Sequence, residues 1–324
     1  MNAQSTLVAY GDRREATAVY GGTVVNGENT NLNDALLDAG MFGWNVRKEE
    51  LRTPDGFKIP KHVGVVGDID GKKVSFGVAG DGYAVVEYPD AFAFGQSVLD
   101  SSDLEISSIG FYQGGGRGYV EFKVPKEVEI AGQDKITAYL RVISSHNGTA
   151  PIVAQLGMTR LFCTNQITSL LSGKTLPSYR VRHTGLDPLS RGNLADARNS
   201  LGIVFAGIDE YTAQAEKWAQ TDVTSAQFGE IVERLFPIDL EKDSLRVQNR
   251  MANGREAVEE TVKYSNAQAG LGLSAYSVQQ GISEWQQWSG NKDLDQRAER
   301  SLNGGLERGQ NKAIGIISDV LQLV

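Results

Sequence analysis

The hydrophobic period of the chain changes near Asp187, and this change constrains the fold more than any other feature of the sequence. From about residue 57 to residue 144, short runs of strand-forming residues alternate with turn signals, a pattern typical of antiparallel strands. Beyond Asp187, apolar residues recur in alternating steps of three and four, the heptad spacing of a long packed helix. These positions are Leu194, Ala197, Leu201, Val204, Ile208, Tyr211, Ala215 and Trp218. The pattern predicts an α+β protein, an antiparallel sheet with packed helices followed by a helical C-terminal region.

The same patterns divide the chain into three parts. Residues 1–29 are glycine-rich and polar, and they predict an N-terminal arm that is extended or poorly ordered. Residues 30–188 predict the α+β core domain. Residues 189–324 predict the helical region.

Capping and turn residues locate the elements within these parts. Thr30 or Asn31 is expected to cap a short helix that ends at Gly40, and Thr224 with Gln227 has the pattern of a capping box. The other expected elements are a hairpin of His62–Val66 with Lys73–Ala79, a strand Tyr83–Tyr88, a helix opened by Pro89 and Asp90, a hairpin of Ile106–Tyr112 with Tyr119–Val124 around a GGGRG turn, and a strand Ile136–Ser144. Ala150–Gly157 fits either another strand or the approach to a helix at about 159–171.

Composition and charge narrow the classes of protein that fit. The chain has 324 residues, a net charge of −8 and a single cysteine, which excludes an internal disulfide framework and fits a reducing cytoplasm. It begins without a signal sequence and has no apolar run of about 18 residues, so we expect a cytoplasmic protein that does not enter a membrane. The acidic net charge argues against a nonspecific nucleic-acid coat but leaves room for a local basic groove.

The motifs of common enzymes are missing from the sequence. Ser172-Gly173-Lys174-Thr175 resembles the end of a phosphate-binding P-loop, but Thr168 stands where that motif needs its first glycine. The three histidines are far apart and lack metal-ligand spacing, and no GxSxG elbow supports a nucleophilic serine. Cys163 lies between apolar residues and is expected to be a buried small hydrophobe. We therefore expect neither an enzyme nor a bound cofactor or metal.

A basic segment is the strongest candidate for a binding site. Between residues 160 and 191 the chain carries one acid, Asp187, and five bases, which are Arg160, Lys174, Arg180, Arg182 and Arg191. Tyr179, Arg180, Arg182 and His183 combine an aromatic ring with closely spaced donors, a mixture that suits single-stranded nucleic acid and equally suits internal salt bridges. Arg117 in the GGGRG turn is placed to touch a phosphate, although such a turn more often serves only as a hairpin tip.

Four blocks of sequence resemble the DUF932 family, whose members are carried by phages and plasmids. The blocks are LLDAGMFGWNV (36–46), GDGYAVVEYPDAFAF (80–94), ISSHNGTAPIVAQLGMTRLFCTNQI (143–167) and RVRHTG (180–185), and the C-terminal tail is similar as well. The resemblance implies a mobile-element origin and a gene that travels with replication and recombination functions. It implies no defined activity.

The expected function is binding and annealing of single-stranded DNA without ATP. The predicted order of hairpin, helix, three antiparallel strands and helix is similar to the core of the Rad52 and phage Redβ/RecT annealing proteins, which implies a homo-oligomer, a ring or filament, that works with a phage nuclease. The phosphate-binding residues are then Arg117, Arg141, Arg160, Lys174, Arg180 and Arg182, with Tyr179 and His183 beside them. The alternative is a phage accessory protein that uses the same basic segment to counter host defence or to capture a small anionic ligand or a protein partner. A hydrolytic enzyme ranks last.

Overall fold

The protein is described by a computed structural model, which covers residues 6–10, 23–25, 31–98, 105–160, 166–167, 170–172, 176, 178–185, 187–288, 296, 300 and 304–323. Its strands are β1 (Thr6–Tyr10), β2 (Thr23–Val25), β3 (Arg47–Arg52), β4 (Lys58–Ile69), β5 (Lys72–Gly80), β6 (Ile106–Tyr112), β7 (Arg117–Ile130), β8 (Asp134–Ser145), β9 (Ile152–Arg160), β10 (Gln166–Ile167) and β11 (Ser178–Val181). Its helices are α1 (Leu32–Asp38), α2 (Tyr88–Val98), α3 (Arg191–Ala219), α4 (Ser225–Leu235), α5 (Leu245–Ala269), α6 (Ala275–Trp288) and α7 (Gly305–Leu321). The predicted α+β class is confirmed.

The chain divides into two compact units. The first comprises Met1–Val124, Tyr139–Leu156 and Pro177–Phe205, and the second comprises Pro125–Ala138, Gly157–Leu176 and Ala206–Val324. Strands β7, β8 and β9 and helix α3 contribute residues to both units. The division therefore differs from the predicted boundary between residues 188 and 189, because β7 and β8 extend beyond the strand patterns visible in the sequence.

The larger sheet has the strand order β10-β9-β8-β7-β6-β1-β2, and β11 also pairs with β9. Strands β6 and β7 form the predicted antiparallel hairpin. Strand β1 lies inside the sheet, antiparallel to β6 and parallel to β2. Thr6–Tyr10, within the segment predicted to be an extended or poorly ordered arm, thus forms a strand of the sheet. This short apolar run is buried on both faces and so lacks the alternation that marks a half-exposed strand.

The smaller sheet, of order β3-β4-β5, contains the other predicted hairpin. Asp70 and Gly71 connect β4 to β5, and both have the positive φ of a two-residue hairpin turn, 51° and 71°. The strand predicted at Tyr83–Tyr88 is wrong, since Tyr83 makes only an isolated bridge with Thr184 and Tyr88 already begins α2. Proline after Tyr88 favours the first turn of a helix over a strand.

Helix α2 packs on the larger sheet through Gly95. A β-carbon at this position would lie 2.2 Å from Cγ2 of Val142, a buried residue of β8. Because real β-carbons do not come so close to another side chain, only glycine allows the helix to approach the strand at this distance. The contact holds α2 in place on the sheet, and Tyr88, the first residue of the helix, is held with it.

In the second unit, the predicted long helix and capping box are confirmed. Helix α3 spans the heptad positions, and the Thr224 hydroxyl and Gln227 side chain cap α4 reciprocally. Of the two alternatives for Ala150–Gly157, the structure shows strand β9, and the residues described between 159 and 171 contain β10 rather than a helix. The Gln166 backbone in β10 donates to Oε1 of Gln287 (2.9 Å) and accepts from Nε2 of Gln310 (2.6 Å). Side chains of α6 and α7 therefore form hydrogen bonds with the backbone N–H and carbonyl of Gln166 at the edge of the sheet.

We expect Gly95→Ala to lower the free energy of unfolding by about 1–3 kcal/mol, because the added carbon meets the β-branched side chain of Val142. The matched control is Gly229→Ala in α4, where a β-carbon meets nothing within 4 Å. This control should gain up to about 1 kcal/mol from helix propensity. Urea denaturation measures both changes, and equal effects of the two substitutions would contradict the packing assigned to Gly95.

Candidate functional site

Segments that are far apart in the sequence meet in the first unit around His146. The His146 ring stacks on Tyr88 with ring centroids 3.9 Å apart, and the centroids of Phe76 and Trp44 lie 5.2 Å and 6.0 Å from it. Trp44 also meets Tyr88 edge to face at 5.6 Å. Aromatic contacts of this kind add about 0.5–1.5 kcal/mol each beyond the area they bury. We call Trp44, Phe76, Tyr88 and His146 the ring cluster.

The turn between β6 and β7 is packed against the ring cluster. A β-carbon at Gly115 would lie 2.8 Å from the Trp44 ring, and one at Gly118 would lie 2.8 Å from the Tyr88 ring. The Tyr88 hydroxyl donates to the Gly115 carbonyl at 2.8 Å. The glycines of the GGGRG sequence are therefore needed for close packing, and the turn holds Arg117 in a fixed place at the start of β7.

His146 is buried with both ring nitrogens unpartnered among the described residues. Burial lowers the pKa of His146 to about 3, the neighbouring His183 adds to the lowering, and the Val86 carbonyl acts in the opposite direction. The imidazole is therefore neutral at ordinary pH. Because no charged partner compensates a proton on this ring, His146 is a packing residue of the ring cluster. Its protonation lowers the stability of the folded protein.

His183 is anchored to the segment before α2. The His183 carbonyl accepts from the Ala84 N–H at 2.8 Å, and its Nδ1 lies 3.1 Å from the Ala84 carbonyl. Since a carbonyl only accepts, Nδ1 carries the proton of the neutral ring. The ring also stacks on Tyr83 with centroids 5.0 Å apart. His183 is 5% exposed, so the prediction that it contacts nucleic acid is corrected. Its contacts with Ala84 and Tyr83 instead hold the backbone next to Arg182 in place.

Strand β11 and the residues directly after it carry two arginines on the same side of the chain. Arg180 and Arg182 are exposed and alternate with the buried residues Val181 and His183. Among the described residues neither arginine forms an ion pair, which disfavours the salt-bridge alternative for these two side chains. Tyr179 lies on the other face of the strand, half-buried, and its hydroxyl donates to Asn193 at 3.4 Å. Its ring therefore does not stand beside the arginines as predicted.

Arg117 lies at the same end of the sheet as Arg182. The Arg117 guanidinium donates from Nη2 and Nε to the Thr149 hydroxyl at 2.8 and 3.0 Å. Thr149 stands three residues before Ile152, and Ile152 pairs with Val181, the neighbour of Arg182. The structure thus brings Arg117, Arg180 and Arg182 to one end of β9 and β11. We call these three residues the arginine edge.

Arg141 does not belong to the arginine edge, and its predicted role as a phosphate ligand is corrected. It is 3% exposed, and its Nε and Nη2 donate to one carboxylate oxygen of the buried Glu121 at 2.8 and 2.5 Å. The other carboxylate oxygen accepts from the Ser108 hydroxyl at 2.6 Å. Arg141 lies in the part of β8 that is buried on both faces, and Glu121 compensates its charge there.

The remaining predicted residues belong to the second unit or lie outside the description. Arg160 ends β9, and its side chain is not among the described groups. Lys174 and Cys163 lie outside the described residues. The arginine edge is therefore built from the first unit alone.

Sequence reasoning missed the residues that hold the arginine edge in place. Trp44, Tyr83 and Tyr88 carry no catalytic or metal-binding signature, but all three lie in the blocks that resemble DUF932. Glu121 is a charged residue within a strand pattern, and such a residue signals a buried partner on the next strand.

The described residues contain no cluster of three or more His, Cys, Asp or Glu side chains that could hold a metal ion. Among the helices in the described ranges, none combines the length and apolar character needed to span a membrane. Arg180 and Arg182 are exposed and Arg117 is half-buried, whereas the His146 ring is buried and neutral. The arginines are therefore suited to holding an anion, and His146 is not suited to moving a proton.

We expect Arg141→Met to lower the free energy of unfolding by about 3–5 kcal/mol, because it leaves the Glu121 carboxylate buried without its partner. The double variant Arg141→Met with Glu121→Leu removes both charges and should recover most of the loss. Urea denaturation tests this, and a double variant no more stable than the single one would contradict it.

His146 predicts a loss of stability in mild acid. Its pKa is near 6.5 in an unfolded chain and about 3 in the folded protein, so between these values only the unfolded chain takes up the proton. Folding stability therefore falls as the pH falls below 6.5. From pH 7 to pH 5 the wild-type protein should lose about 2 kcal/mol more than the variant His146→Phe, which keeps a ring in the cluster. Identical pH dependence of the two proteins in denaturant titrations would refute this assignment.

Comparison with known proteins agrees with the resemblance of three of the four blocks, those at 80–94, 143–167 and 180–185. No curated protein and no solved structure matches this chain. The model of one family, described as a domain of unknown function (DUF932), matches residues 75–308. This match covers most of the chain and includes Tyr83, Arg117, His146 and both arginines of β11. The protein is therefore a member of the DUF932 family.

Proposed function

We propose that this protein binds single-stranded DNA through the phosphates, with the arginine edge as the contact surface. The observation that carries the proposal is the pair Arg180 and Arg182, both exposed where β11 ends, with Arg180 on the strand and Arg182 directly after it, in a chain whose net charge is −8. Residues two apart on a strand lie about 7 Å apart in a straight row, which suits an extended anionic chain. Guanidinium groups bind phosphate oxygens with paired hydrogen bonds.

We also propose that binding serves the annealing of complementary strands without ATP. Contacts to phosphate leave the bases unread and free to pair. The order of hairpin β4–β5, helix α2, strands β6–β8 and later helix α3 supports this role, because it follows the order expected of an annealing core, with β9–β11 placed before the last helix. Assembly of several copies would join their arginine edges into one longer phosphate-binding surface.

Replacing both arginines of β11 tests the contact surface. Arg180→Ala with Arg182→Ala should weaken binding of labelled oligothymidine at least tenfold and make the slope of log K against log salt less steep by about 1.4. The matched control is Arg246→Ala with Arg250→Ala on α5, two exposed arginines whose loss changes the net charge equally. Fluorescence anisotropy across a salt series measures both.

Binding by the double variant at wild-type strength would overturn the proposal, as would equal weakening by the control. A competition experiment with nucleoside triphosphate distinguishes strand binding from the alternative function, capture of a small anionic ligand. Nucleoside triphosphate that displaces the oligonucleotide at equal phosphate concentration would support that alternative over strand binding. Acceleration of annealing of two complementary oligonucleotides, lost in the β11 double variant, completes the test.

A further inference from the structure

Tyr83 connects the chain beside Arg182 to the chain beside Arg117. Its hydroxyl donates to the Ser145 carbonyl at 2.7 Å, its ring stacks on His183, and its backbone bridges to Thr184. The residue is buried, and its contacts reach both segments.

On one side of Tyr83, the backbone of Arg182 is held at both ends. Val181 before it pairs with Ile152 in the sheet, and His183 after it exchanges hydrogen bonds with Ala84. The Arg182 carbonyl itself accepts from the Thr184 N–H at 2.8 Å. These hydrogen bonds hold the backbone of Arg182, while its side chain is exposed to solvent.

On the other side, Ser145 begins the turn that holds Arg117. The Ser145 hydroxyl donates to the Ala150 carbonyl at 2.7 Å and closes residues 145–150 into a compact turn. Thr149 in this turn is the partner of the Arg117 guanidinium. The His146 N–H also donates to the Gly116 carbonyl at 2.9 Å, next to Arg117.

We infer that Tyr83 is a positioning residue that fixes Arg182 relative to Arg117, so that both guanidinium groups bind the phosphates of one short stretch of a single strand. This inference rests on the proposed function. A contact surface whose backbone is already held in place loses less conformational entropy on binding. Arg180, two residues further along β11 from this anchor, binds a separate phosphate without help from Tyr83.

The test is Tyr83→Phe, which keeps the ring on His183 and removes the hydrogen bond to Ser145. We expect it to weaken binding of oligothymidine by about threefold to tenfold. Its effect should largely vanish in an Arg182→Ala background and persist in full in an Arg180→Ala background. The matched control is Tyr10→Phe, which removes the hydrogen bond of another buried tyrosine to Asp38, on a strand at the far side of the sheet.

A purely structural role for Tyr83 would weaken binding equally in both arginine backgrounds, and that result would overturn the inference. Thr149→Val gives a second, exposed position where folding is not at risk, and its effect should likewise be smaller once Arg182 is alanine. If Arg180→Ala with Arg182→Ala leaves binding intact, the proposed function itself has failed. If that variant loses binding while Tyr83→Phe and Thr149→Val bind like the wild type, only the positioning role has failed.

Discussion

Gly115 and Gly118 lie so close to the rings of Trp44 and Tyr88 that neither position has room for a β-carbon. This contact joins the β6–β7 turn to the start of α2 and to the segment before β3, which are distant in the sequence. The His146 ring completes the packing by stacking on Tyr88. Because the interior of a protein is close-packed, the turn that carries Arg117 cannot move without disturbing these rings.

The rigid cluster explains how an acidic chain can present a basic surface. The buried cation Arg141 is compensated by Glu121, and His146, the histidine of the ring cluster, remains neutral. The exposed arginines of β11 then determine the local charge at this end of the sheet. Their exposed charges at the end of a strand that pairs with β9 also disfavour pairing of this sheet edge with another strand.

The sequence predicted most of the local structure of the protein. The two hairpins, the capping box of Thr224 and the long helix α3 follow from turn residues and periodicity, which act over a few residues. Strand β1 could not be predicted in this way, because its partner β6 is nearly a hundred residues away and its residues are buried on both faces. Tyr83 was misassigned for a similar reason, since its partners Ser145 and His183 are brought to it only by the fold.

For the site, the sequence predicted the basic segment but not which of its members reach the surface. Arg180 and Arg182 alternate outward from the strand, whereas Arg141 and His183, equally polar in the sequence, point inward. Whether a side chain faces solvent depends on strand register and on the partner across the sheet, and neither is visible in composition.

The central claim is that this protein takes up single-stranded DNA through phosphate contacts. Size-exclusion chromatography with light scattering, with and without a mid-length oligothymidine at low and at moderate salt, tests it most directly. We expect an assembly of several chains that binds the oligonucleotide at low salt and releases it as the salt concentration rises. A species whose mass does not change with DNA at either salt concentration would contradict it.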